Sequence, residues 1–178
     1  MKGYWKQFMI PFKGLKEGKH EFSFKIGRAF FEELDYSILE DGNVSIQLEM
    51  DKKPNMLVFS FDITGTIKLQ CDRCLEVYDQ PVEGNYMLIA KFTERETNKP
   101  SEDIVILPED AHEFDVGHYI YEYISLLLPI KHVHEHIDNC NQEMIDMLNN
   151  ENEDNNSSKE IDERWKALEE IRNNMKNN

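Results

Sequence analysis

Three cysteines in 178 residues are too few, and odd in number, for a disulfide framework. No apolar run approaches the ~20 residues that a membrane helix needs. The opening MKGYWKQFMIPF interrupts its apolar residues with polar ones and proline, unlike a secretory h-region, so the cytoplasm is the expected compartment. No GxSxG, P-loop or GxGxxG occurs, and the many Asp and Glu residues single out no acid/base pair. The sequence therefore predicts a protein that is no enzyme and takes no small-molecule substrate. No internal repeat is visible. What remains is enough apolar residue, 40%, to bury one core of ordinary size.

Charge is split along the chain. Residues 1–100 carry 14 Lys+Arg against 16 Asp+Glu, and residues 101–178 carry 6 against 19, so nearly all of the net charge of -15 lies in the second half. Such a surface disfavours a nonspecific nucleic-acid coat, which depends on phosphate neutralisation. The first 31 residues oppose this trend with Lys2, Lys6, Lys13, Lys16, Lys19, Lys25 and Arg28 against Glu17 and Glu21. Either these are lysine-studded strand edges, or Lys13, Lys16, Lys19 and Lys25 bind RNA.

Periodicity assigns the fold class as α+β. Phe22, Phe24 and Ile26 alternate with polar neighbours, as do Val44, Ile46, Leu48 and Met50, and both stretches read as half-buried strands. Residues 56 to 71 read as one bent strand or two collinear ones, with apolar side chains of one parity from Leu57 to Cys71 and Gly65 marking a bulge or bend. Tyr86 to Phe92 is apolar on both parities, which predicts a strand covered on both faces. Residues from about 4 to 92 thus predict an antiparallel sheet or partly open barrel. Arg28 to Leu34 fits a short helix. Asp115 to Leu128 carries a helical stripe (Ile120, Ile124, Leu127, Leu128), with Asp115 as cap and Pro129 as stop. Met144 to Leu148 suggests another short helix. Residues 1–148 are the expected core domain, 149–161 a polar flexible linker, and 162–178 a C-terminal amphipathic helix with Trp165, Leu168, Ile171 and Met175 on one face.

The chemistry concentrates at Cys71-Asp72-Arg73-Cys74, which closes the long strand. Two thiols at this spacing chelate zinc, cycle as a redox dithiol, or simply sit at the rim of the sheet. A redox motif calls for a helix start in a βαβ setting, which these cysteines lack. A third cysteine, Cys140, follows His132, His134 and His136. Cys71, Cys74, Cys140 and one of these histidines, His134 foremost, would complete a tetrahedral Cys3His zinc site. Arg73 makes a rim contact or meets a phosphate or a partner carboxylate. Trp165 anchors the last helix on the core or anchors a partner. His112 and His118 read as surface histidines.

Three stretches taken together resemble a known family. They are Cys71-Asp72-Arg73-Cys74-Leu75, then Ile124-Ser125-Leu126-Leu127-Leu128-Pro129 with the downstream His134 and Cys140, and the closing Asp162-Glu163-Arg164-Trp165-Lys166-Ala167-Leu168. In this order the chain, from about residue 8 to its end, is similar to the YceD-like large ribosomal RNA subunit accumulation proteins. The resemblance implies a bacterial cytoplasmic ribosome-biogenesis factor without known catalytic activity, often encoded beside a zinc-ribbon large-subunit ribosomal protein. Its expected partner is large-subunit ribosomal RNA or a basic large-subunit ribosomal protein, and the charge split favours the protein. The alternative is a zinc-binding or redox dithiol protein using Cys71 and Cys74.

Overall fold

In the computed structural model, which describes residues 3–92 and 104–156, with side chains to residue 150, five strands form one open sheet. The chain begins with a 3-10 turn, Trp5–Phe8, and a short strand β1, Met9–Ile10. It continues through β2 (Gly18–Ile26), helix α1 (Arg28–Glu32), β3 (Gly42–Lys53), β4 (Met56–Gln70) and β5 (Val77–Phe92). Then follow β6 (Ile104–Leu107), β7 (Phe114–Asp115), α2 (Gly117–Leu126), a 3-10 turn at Ile137–Asn139, and α3 (Gln142–Asn156). The strand order is β2-β3-β4-β5-β6, antiparallel except for the parallel β5–β6 pair, and β1 pairs with β7 separately.

The α+β class is as the periodicity predicts, and the sheet is open rather than a barrel. One parity of each strand faces a single covering layer. Phe24, Ile26, Ile46, Leu48, Phe59, Phe61 and Ile63 are buried on that side. Above them lie the N-terminal turn, α1 and α2. Trp5 stacks on Phe30 at 5.5 Å, Phe59 on Phe114 at 4.7 Å, and Tyr86 on Tyr123 at 4.4 Å. Trp5 also donates its indole N–H to Asp115 at 2.9 Å. Its ring lies so close to Gly117 that a Cβ there would meet it at 2.5 Å, which ties the N-terminal turn to the start of α2.

Several local expectations change. Residues before Gly18 stay out of the main sheet, because Met9 and Ile10 pair with Asp115 and Phe114 instead. Gly65 is no bulge: the β3–β4 register runs unbroken through Val44↔Gly65. Its role is close approach, since a Cβ would stand 2.3 Å from the Asn43 carbonyl oxygen. The outward parity of β5 is uncovered, with Met87 58% exposed, so the double-sided cover inferred from Tyr86 to Phe92 is absent. Ile104–Leu107 is a strand, and α1 and α2 are shorter than their patterns. Helix α3 runs well past Leu148, so the stretch 149–156 assigned to a linker is helical and the inferred boundary at 148 falls inside a helix. The rest of that linker and the 162–178 helix, Trp165 included, lie outside the described residues.

Candidate metal centre

The CxxC spacing is set by a hairpin turn. Cys71 donates its N–H to Glu76 at 2.8 Å, continuing the β4–β5 ladder by one more pair. Asp72 to Leu75 are then left as a four-residue loop. Leu75 closes it with a positive φ of 62° and an N–H to the Cys71 carbonyl at 2.8 Å. Both cysteine side chains turn inward and are buried.

The second half of the site comes from the segment after α2. Pro129 ends the helical region, and residues 130 to 136 return across the hairpin loop in extended or irregular conformation. Asp72 and His132 clamp the two segments. The Asp72 N–H donates to the His132 carbonyl at 2.6 Å, and the His132 N–H donates to the Asp72 carboxylate at 2.9 Å. This fixes His134 two residues on. The 3-10 turn at Ile137–Asn139 then swings Cys140 inward, where it is 4% exposed. Asn141 caps α3 by accepting the Met144 N–H at 3.3 Å, and its amide donates to Glu76 at 2.9 Å.

Cys71, Cys74, His134 and Cys140 bring their donor atoms within 4.8 Å of one another. His134 Nδ1 lies 3.6 Å from Cys74 Sγ and 3.5 Å from Cys140 Sγ. A tetrahedral ion with Zn–S of about 2.3 Å and Zn–N of about 2.0 Å separates sulfur from nitrogen by roughly 3.5 Å. The two His134 edges match. A single imidazole nitrogen, with one lone pair or one hydrogen, does not serve two sulfurs equally by hydrogen bonding, whereas two equal edges are what a shared ion requires. The four residues can therefore hold a metal.

Electrostatics fit a cation at the centre. Burial raises the Cys71 thiol, but the backbone N–H groups of Cys74, His134 and Arg73 and the His134 ring outweigh it and bring the group down to about 6. Cys140 goes the other way. Burial, then hydrogen bonding with Cys74 and Cys71 and their charge, push it up to about 11. Three sulfurs this close do not all ionise alone, and a divalent ion among them removes that conflict. The Tyr78 ring stands 4.9 Å from His134, and its hydroxyl is raised by burial and by the charges of Cys71 and Asp72.

The other sequence candidates do not converge here. Arg73 is half-buried, and its guanidinium makes no ion pair or hydrogen bond among the described residues. Lys13 meets His112 Nδ1 at 3.2 Å, Lys19 pairs with Glu49 at 2.9 Å, and Lys16 and Lys25 are exposed. Lys19 and Lys25 are six positions apart on one strand, about 20 Å. Asp115, counted by sequence among the acids of the second half, is a structural group. It accepts the Trp5 indole N–H at 2.9 Å and the Gly117 N–H at 2.8 Å. Sequence reasoning missed Asp72 as clamp, Tyr78 as cover and Asn141 as cap. Of these only Asn141, a capping residue type just ahead of a helical pattern, carried a signal.

The fold and site define an α+β protein whose distinguishing feature is a sheet-borne Cys3His cluster, and no described helix is long and apolar enough to cross a bilayer. A family model described as "Large ribosomal RNA subunit accumulation protein YceD" matches residues 59–172, and the chain belongs to that family. The match begins within β4 and contains all four cluster residues, but neither β2 nor β3. No curated protein and no solved structure matches the chain.

Proposed function

We propose that this protein is a non-catalytic, cytoplasmic factor for large ribosomal subunit assembly that binds a basic large-subunit ribosomal protein, with a structural zinc ion at Cys71, Cys74, His134 and Cys140. The family match carries the ribosomal part of this reading. The four-residue donor set supports the zinc part, because three thiolates and an imidazole suit zinc and leave no open coordination position for water or substrate. The hairpin setting of the CxxC pair and the convergence of two further donors favour a metal over a redox dithiol, which needs neither.

Charge favours a protein partner over RNA. The described part of the second half exposes Glu109, Asp110, Glu113, Glu122, Glu135 and Asp138, whereas the N-terminal lysines are dispersed and partly paired. Loss of the protein should lower mature large-subunit RNA relative to small-subunit RNA. Affinity capture at low and physiological salt should return a basic ribosomal protein, and neutralising Glu109, Asp110 and Glu113 should weaken that capture. Recovery of RNA alone, abolished by replacing Lys13, Lys16, Lys19 and Lys25, would reject the protein-binding reading in favour of direct RNA contact.

A further inference from the structure

The outward face of the main sheet is not flat. A trough of about 610 Å³ crosses β2 to β5 at right angles to the strands. Glu21, Glu49 and Met87 stand on one bank, and Gln47, Asp62 and Asn85 on the other. No Lys or Arg lines it. The aromatic residues at this level, Phe22, Phe61 and Tyr86, have the inward parity and pack against the core. Glu49 is held from outside the trough by Lys19 at 2.9 Å, while Glu21 and Asp62 form no ion pair among the described residues.

We infer that this trough is a docking site for an extended cationic polypeptide segment. The inference deepens the protein-partner reading above and rests on it. Strands lie about 4.8 Å apart, so the four strands span roughly 14 Å, the reach of four or five extended residues at ~3.3 Å each. Such a segment, laid across the strands, meets carboxylates on both banks, with Gln47 and Asn85 to bond its backbone and the exposed Met87 to cover an aliphatic stem. A nucleic acid strand fits poorly. The carboxylates repel phosphate, and the aromatic residues of the lining, Phe22, Phe61 and Tyr86, pack against the core rather than standing free for a base to stack on.

The test is fluorescence anisotropy of the full chain with a labelled Arg-Ser-Arg-Ser-Arg-Ser peptide at low salt, beside labelled poly(U). Glu21→Gln with Asp62→Asn should weaken peptide binding about five- to tenfold, the size expected for two exposed charge pairs. Asp62→Lys should weaken it further. Both changes lie on the solvent side of the sheet and should leave the melting temperature unchanged. The Glu109→Gln, Asp110→Asn, Glu113→Gln variant, neutralised outside the trough, should lose less peptide affinity than the trough variant. Equal binding by parent and trough variants, with loss in the second variant, overturns the trough while the protein-partner reading stands. Binding of poly(U) but not peptide by the parent overturns both.

Discussion

The protein buries side chains in two places and holds them by different means. Between the sheet and its covering layer, Phe8, Phe30, Phe59, Phe61 and their aliphatic neighbours form a continuous apolar core. Beyond the end of the sheet, the second cluster is Cys71, Cys74 and Cys140, and among the described residues Tyr78, Val133, Met144 and Ile145 pack around it. Burial of large apolar side chains at ~25 cal/mol per Å² is enough to order the first. The second is smaller among the described residues, and its own thiols oppose one another. What the comparison teaches is that, if the proposed zinc ion sits among these donors, the segment carrying His134, Cys140 and α3 would depend on it while the sheet would not.

Breaking the first region should have the largest effect. Phe59→Ala empties a site that is 0% exposed and stacked on Phe114, and should cost about 3–5 kcal/mol in denaturant unfolding, with the whole chain destabilised together. Breaking the second should be local. Cys140→Ser, or chelation, should abolish zinc binding and remove hydrogen-exchange protection from residues 130 to 145, while amides of β3 and β4 keep theirs. A loss of protection spread evenly over both regions would show that the two are one cooperative unit.

A subtler cut sharpens the boundary. A chain ending at residue 148 retains all four donors and Ile145, so it should fold and bind about one zinc ion, measured by circular dichroism and metal analysis. An insoluble product would mean that the later residues, Trp165 among them, belong to the core. The smallest effect is expected at Leu75, 56% exposed and held at φ 62°. Leu75→Gly relieves that backbone and should stabilise the hairpin by about 1 kcal/mol, read as a small rise in melting temperature without change in zinc stoichiometry.

The two regions were also unequally legible. Strand parity located the inward faces of β2, β3 and β4, because alternation is recorded in each strand separately. It failed at β5, where Met87 and Ile89 are apolar yet stand on the open face, and at Gly65, whose reason is a backbone on the neighbouring strand. The four donors were legible as residue types. They were legible as one candidate set too, and the structure brings that set together; what the sequence did not reveal is the means, the Asp72–His132 clamp between segments sixty positions apart. Asp115, read as the cap of the helix, does accept the N–H of Gly117 at the start of α2, but its second partner, the Trp5 indole 110 positions away, left no mark in the sequence.

The central claim is that one zinc ion joins the sheet hairpin to the segment bearing Cys140. X-ray absorption at the zinc edge, on protein whose metal content has been quantified, tests it most directly. The account predicts about one zinc per chain with three sulfur neighbours near 2.3 Å and one nitrogen near 2.0 Å. Protein that stays metal-free in the presence of zinc, or that carries a Cys71–Cys74 disulfide instead, would contradict it.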